Sequence, residues 1–297
     1  MAIFQKKTTL VHHITYMGLM TAINVIFIVL ARFLPMLMFL LIIFLPFAST
    51  VVAYFCKKRF YIIYALASIG LCLIFNISDT IFYIVPAVIT GFVIGVLLDK
   101  KAHPFWLILA SSIVNAALSL AFIPLIKLMT NVNLVETVLK MFQLTDFIYK
   151  SELVCLFVYF LSLLQCALTH FVLLVDGKKI GIEINTRIDS FAPFIICLEI
   201  AILFAFCCSF FYKPLSFVFV LISLYFSVYL FIDAILSKRI AVYVCLGILF
   251  VVSIFTFALL YTMLEKPLGL LVVLLFPISM GITSFIKNYL LKAPSNI

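Results

Sequence analysis

Phe194-Ile195-Ile196-Cys197-Leu198-Glu199-Ile200-Ala201-Ile202-Leu203-Phe204-Ala205-Phe206 decides the architecture. Twelve of these thirteen residues are apolar, with no alternation and no polar face. A barrel strand alternates apolar and polar side chains over about 9–11 residues, so the stretch does not read as one. A helix of about 20 apolar residues crosses roughly 30 Å of hydrocarbon with every backbone group satisfied internally. The stretch is therefore the middle of a membrane-spanning helix.

Its character extends through the chain. Of 297 residues, 67% are hydrophobic and 10% charged, and the mean hydropathy is +1.37. Soluble domains carry about 25% charged residues. One anchor on a large soluble domain would pull the average towards zero, so the expected fold is all-α: a polytopic transmembrane helical bundle. Reading from charge cluster to charge cluster gives ten spans: Ile14–Leu34, Met36–Phe55, Phe60–Ile77, Thr80–Leu98, Pro104–Leu128, Leu153–Val175, Phe191–Tyr212, Pro214–Leu236, Ile240–Leu264 and Pro267–Leu291. The first two are joined only through Pro35 and the next two only through Ser78-Asp79, which leaves a range of eight to ten full crossings.

The basic residues orient these spans, because Lys and Arg are retained on the cytoplasmic side during insertion. With ten spans, 14 of the 20 basic residues share the side of both termini, among them Lys57-Lys58-Arg59, Lys100-Lys101 and Lys238-Arg239. Both termini are therefore expected in the cytoplasm. The net charge of +9 reads as topology signal and attraction to anionic headgroups, with no basic, aromatic-interleaved patch to suggest nucleic acid. Lys6-Lys7 before an apolar run resembles a signal peptide, but the run is too long and Arg32-Phe33-Leu34-Pro35 is no small-residue cleavage site.

Asp176–Ser190 is the longest cytoplasmic connector and divides the chain into residues 1–176 with six spans, a connector over 177–190, and residues 191–297 with four spans. The external segment Met129–Ser151 places Leu134, Val135, Val138, Leu139 and Phe142 on one helical face. Asn133 with Glu136 is a capping-box-like start. This helix lies on the outer leaflet or closes over an outward cavity.

Polar side chains inside hydrocarbon are the places to look for function. Glu199 is the one acidic residue near midplane, where insertion costs about 2.5–3.5 kcal/mol. It is expected to be buried, as an ion- or proton-binding group or as a hydrogen-bonded acid holding helices together. Asn24, Asn115 and Gln165 are amides near midplane that either bond across helices, at about 0.6 kcal/mol each, or line a polar pocket. Arg32 near the outer end of span one either snorkels or holds an anionic group. His170 reads as a packing residue with its hydrogen bonds met. Gly18 and Ala22, with a small-x-x-x-small spacing, permit close helix contact, as do Gly91 and Gly95.

The eight cysteines include no C-x-x-C pair, so no metal site is expected. The sequence has no P-loop, no H-E-x-x-H and no G-x-S-x-G. An enzyme is not expected, nor a cofactor, and active transport would need an ion gradient or a separate ATPase.

Three stretches carry a resemblance: Ile14-Thr15-Tyr16-Met17-Gly18-Leu19-Met20-Thr21-Ala22, the Leu45-Pro46 step, and Pro86-Ala87-Val88-Ile89-Thr90-Gly91-Phe92-Val93-Ile94-Gly95. They resemble the YybS-like family of uncharacterised bacterial membrane proteins. That family is distantly similar to the substrate-binding S components of energy-coupling-factor transporters, which have six spans. The resemblance implies a bacterial cytoplasmic membrane, transport-related binding of a small molecule, and a separate membrane coupling subunit or ATPase touching Gly18 and Ala22. The chain departs from it by adding four spans and carrying no vitamin-specific motif. A non-transporting membrane scaffold or assembly partner is the alternative.

Overall fold

The computed structural model describes residues 9–33, 38–131, 133–141, 150–177, 179–182, 184, 192–236, 240, 242–249, 251–252 and 273–290. Among the described residues every regular element is helical. In chain order these are α1 (Leu10–Phe33), α2 (Met38–Phe55), α3 (Tyr61–Phe75), α4 (Val85–Asp99), α5 (Pro104–Thr130), α6 (Leu134–Met141), α7 (Lys150–Asp176), α8 (Ala192–Phe211), α9 (Lys213–Leu236) and α10 (Leu275–Phe285). A π-helical turn over Thr80–Ile84 leads into α4, and another over Ile286–Leu290 continues α10. Among the described residues seven helical stretches are long and apolar enough to cross a membrane, with α3 counted from Lys58 and α4 from Ile77. Of α2, the stretch Leu45–Phe55 adds a shorter apolar helix.

The exterior is far more apolar than that of a soluble protein, while the largely apolar interior also encloses polar side chains. Phe211 is 89% exposed and Leu128 80%, while Thr21, Ser68, Thr90, Ser111, Asn115 and Thr169 are buried. Water would not tolerate such an exterior; lipid tails are as apolar as the side chains facing them. The exposed Trp106 stands just after Lys100-Lys101, at the height expected of an interfacial aromatic.

The chain divides into two units, Met1–Val138 with Leu161–Arg187, and Leu139–Phe160 with Ile188–Ile297. In the first, small and polar residues set the helix directions. The His13 ring meets that of Phe60 at 5.0 Å, tilted, and Thr21 hydrogen-bonds Ser68 at 3.1 Å with the same offset, so α1 and α3 run parallel. Tyr16 meets Phe55 at 6.2 Å, while Asn24 and Ser49 converge on Tyr64, so α2 runs against α1. Gly91 abuts Ser49 and Gly95 abuts Ala53, which makes α2 and α4 a second parallel pair.

Those two glycines allow the close approach. A Cβ at Gly91 would lie 2.7 Å from the Pro46 carbonyl oxygen and 2.9 Å from the Thr50 nitrogen. The contact inferred from the Gly91 and Gly95 spacing is therefore present. At Gly18, among the described residues, nothing lies within 4 Å of an added Cβ, and Ala22 is exposed on the same face of α1.

Helix ends obey local chemistry. The His103 ring nitrogen accepts from Phe105 N ahead of Pro104 at the start of α5, and Asn131 closes that helix in the left-handed conformation. A capping-box-like start is present at α6: Asn133 Nδ2 donates to Glu136 Oε1 at 2.7 Å, and Glu136 N donates back to Asn133 Oδ1 at 3.5 Å. Lys58 pairs with Asp99 at 3.2 Å, tying the turn before α3 to the end of α4.

In the second unit, α8 and α9 form an antiparallel pair. Ser216 Oγ donates to the Ala205 carbonyl at 2.6 Å, and Ile195 and Leu198 pack against Leu230. Met280 of α10 packs with Ala234 and with Val242 of a helical stretch over 242–249.

Candidate functional site

Two polar clusters lie inside the first unit. One joins α1, α2 and α3 at the buried Tyr64. Asn24 Nδ2 donates to the Tyr64 hydroxyl at 2.8 Å, and Ser49 Oγ lies 3.0 Å from the same oxygen. Asn24 Oδ1 is buried with no hydrogen-bond partner. A tyrosine supplies this junction because its ring spans the gap between helices while its hydroxyl both donates and accepts.

The other cluster joins α4, α5 and α7. Thr90 Oγ1 donates to Asn115 Oδ1 at 3.3 Å, and Asn115 Nδ2 donates to Gln165 Oε1 at 2.7 Å. One turn further along α7, Thr169 Oγ1 donates to the Gln165 carbonyl at 2.8 Å. His170 is the next residue; it is 1% exposed, and neither ring nitrogen has a partner. The expectation of a satisfied packing histidine is thereby corrected: at helical spacing from His170 along α7 stand Leu163, Cys166, Ala167 and Leu173, all buried and none carrying a side-chain oxygen.

The sequence-derived residues divide accordingly. Asn115 and Gln165 come together, and Asn24 joins a different cluster of the same unit. Glu199 lies on α8 in the second unit, exposed and without a partner among the described residues. Its expected burial is not found, because α8 turns Ile195, Leu198 and Ala201 inward and leaves Ile196, Glu199, Ile200 and Leu203 on its outer side. Arg32 lies on α1, its side chain outside the described residues. Among the described residues no group of three or more His, Cys, Asp or Glu side chains could hold a metal ion.

A third cluster is not evident from the sequence. Lys287 Nζ lies 2.5 Å from Asp233 Oδ1 and donates to the Asp233 carbonyl at 3.2 Å. Both side chains are largely buried, at 15% and 7% exposure. In the sequence each reads only as a charge on the cytoplasmic side. The usable signal is position: opposite charges, each about one turn inside the same end of an apolar span.

These features define a multi-pass integral membrane protein with polar side chains enclosed by apolar helices. Over residues 22–145 the chain matches the model of a family described as predicted membrane protein (DUF2232). That stretch holds Asn24, Tyr64, Gly91 and Asn115 but ends before Gln165 and His170. Neither the curated proteins nor the solved structures yield a match.

Proposed function

We propose that the protein binds a small polar molecule among α4, α5 and α7 of the first unit, in a transport-related role without an ATPase of its own. The observation that carries this reading is His170, buried in a membrane-spanning helix with both ring nitrogens unbonded. A buried polar group without a partner costs about 1–3 kcal/mol. A ligand offering one donor and one acceptor would remove that cost at His170. The Asn115–Gln165 pair, on another face of α7, can open to a polar group as well, since an interhelical bond of this kind is worth only about 0.6 kcal/mol.

The resemblance to S components supports the same role. So does the outward Gly18 and Ala22 face of α1, which is free to meet a separate coupling subunit. The predominance of basic residues on one side supports cytoplasmic termini, and the resemblance supports a bacterial cytoplasmic membrane. The alternative, a non-transporting scaffold or assembly partner, is favoured by one observation: Asn115 and Gln165 already satisfy each other.

The test is thermal denaturation of the purified full chain against a panel of vitamins and other polar metabolites. A ligand at 100 times its Kd stabilises by about 2.7 kcal/mol. One compound should raise the melting temperature in the wild type and fail to do so in Gln165→Leu and His170→Leu. A panel without effect, or a shift retained in both variants, favours the scaffold.

A further inference from the structure

We propose that Asp233, with Lys287, forms a proton-binding site at one end of the second unit, in which a proton taken up on Asp233 Oδ2 opens the clasp between α9 and the π-helical turn. The carboxylate is used on one side only: Oδ1 holds the Lys287 ammonium, whereas Oδ2 is buried and has no partner. One turn before Lys287, Ser284 is fully buried with its hydroxyl unbonded, and the Asn288 amide nitrogen beside Lys287 is likewise unpaired. An ion pair serving only to fasten two helices would be expected to have its remaining lone pairs satisfied.

The choice of ligand rests on charge. The Lys287 ammonium repels a metal cation from Oδ2, and the Asp233 carboxylate repels an anion. A metal ion would need several further ligands, and among the described residues no group of three or more His, Cys, Asp or Glu is present, whereas a proton needs Oδ2 alone. It comes from bulk water and forms an O–H bond, while Lys287 keeps its own three. The site then carries the lysine charge alone, and the four-carbon stem of Lys287, already part-exposed, lets the ammonium swing to the headgroups.

The backbone supplies the element that responds. Lys287 sits in the π-helical turn Ile286–Leu290, and such turns are rare and concentrate at functional sites. While Lys287 is held by both an Asp233 side-chain oxygen and the Asp233 carbonyl, the turn is pinned to α9. Released, it is free to rewind as α-helix, with a change of helical register at its C-terminal end.

The other titratable groups on the elements packed here are Lys213, Tyr225 and Tyr229 on α9, Tyr289 on the π-helical turn, Tyr243 and Cys245 on the helical stretch over 242–249, Cys197, Glu199, Cys207 and Cys208 on α8, and Lys150, Glu152, Cys155 and Tyr159 on the part of α7 whose Phe160 meets Phe276; Glu152 is not buried. The Tyr243 hydroxyl donates to the Ile235 carbonyl at 2.6 Å. Glu199 is exposed, so among the described residues of these elements Asp233 is the one buried carboxylate.

The test uses the full chain in lipid nanodiscs carrying Glu199→Gln, so that midplane acid is silent. Infrared difference spectra between mildly alkaline and mildly acidic pH should show a carboxylic C=O band that disappears in Asp233→Asn. In Asp233→Asn/Lys287→Gln, which removes both charges together and avoids stranding either, thermal stability should be less pH-dependent than in the parent. A parent without that band, a band retained in Asp233→Asn, or the same pH profile in the double variant, would overturn the assignment.

Discussion

Gly91→Ala is the sharpest perturbation of the first unit. The added methyl would stand 2.7 Å from the Pro46 carbonyl oxygen and 2.9 Å from the Thr50 nitrogen, and closer still to the Ser49 Cβ. Carbon contacts are optimal at about 3.5–4.0 Å, so α2 and α4 must part by roughly 1 Å. Two of the three obstacles are backbone atoms, which no rotamer change can move. Overpacking of this kind costs about 1–3 kcal/mol, and the rigidity of the obstacles argues for the upper end. Against it stands about 1 kcal/mol gained from replacing glycine by alanine inside a helix. The net is about 2 kcal/mol of destabilisation, roughly a 30-fold loss in the folding equilibrium. For a unit of this size that lowers the melting temperature by about 4–8 °C.

Gly95→Ala should behave alike, its Cβ falling 2.5 Å from the Ala53 Cβ and 2.8 Å from the Thr50 carbonyl oxygen. The double variant should cost less than the sum, because one separation of the helices relieves both sites. Gly18→Ala is the internal control: with nothing within 4 Å it should leave the melting temperature unchanged or raise it. The assay is thermal unfolding of purified variants in one detergent, followed by size-exclusion of the soluble fraction. Equal melting temperatures for Gly91→Ala and Gly18→Ala would refute the packing argument.

Two more perturbations bear on the second unit and on the topology. Glu199→Gln should leave thermal stability unchanged, since the carboxyl is exposed and has no partner among the described residues; a fall in melting temperature would instead make it a helix-holding acid. A reporter fused after Ser151 should read as external under the ten-span orientation, and a cytoplasmic reading would reverse the proposed topology.

Much of the fold was legible because hydrophobic length and basic flanks are direct consequences of the bilayer. The small residues of α4 and the Asn133–Glu136 cap were equally readable, being local signatures of close approach and of a helix start. The direction in which a side chain points was not. A helix such as α8 is apolar around its whole circumference, so nothing in its composition separates the face carrying Leu198 from the face carrying Glu199. The Tyr64 junction escaped notice for a related reason: a tyrosine within an apolar span reads as an aromatic, and only the folded chain places Asn24 and Ser49 against its hydroxyl. The Asp233–Lys287 pair was hidden by its separation of 54 residues, over which no periodicity operates.

The parallel pairing of α2 with α4 bears on how the protein is made. Tyr64 of α3 takes the Ser49 hydroxyl, but the backbone of α2 at Pro46 and Thr50, which Gly91 and Gly95 approach, has no mate until the π-helical turn at Thr80–Ile84 and α4 have emerged from the ribosome. Helical hairpins entering the bilayer two at a time therefore cannot each be finished on arrival. α2 must wait with the edge that will meet Gly91 and Gly95 uncovered, and a nascent chain halted after α3 should be held there by the insertion machinery or destroyed.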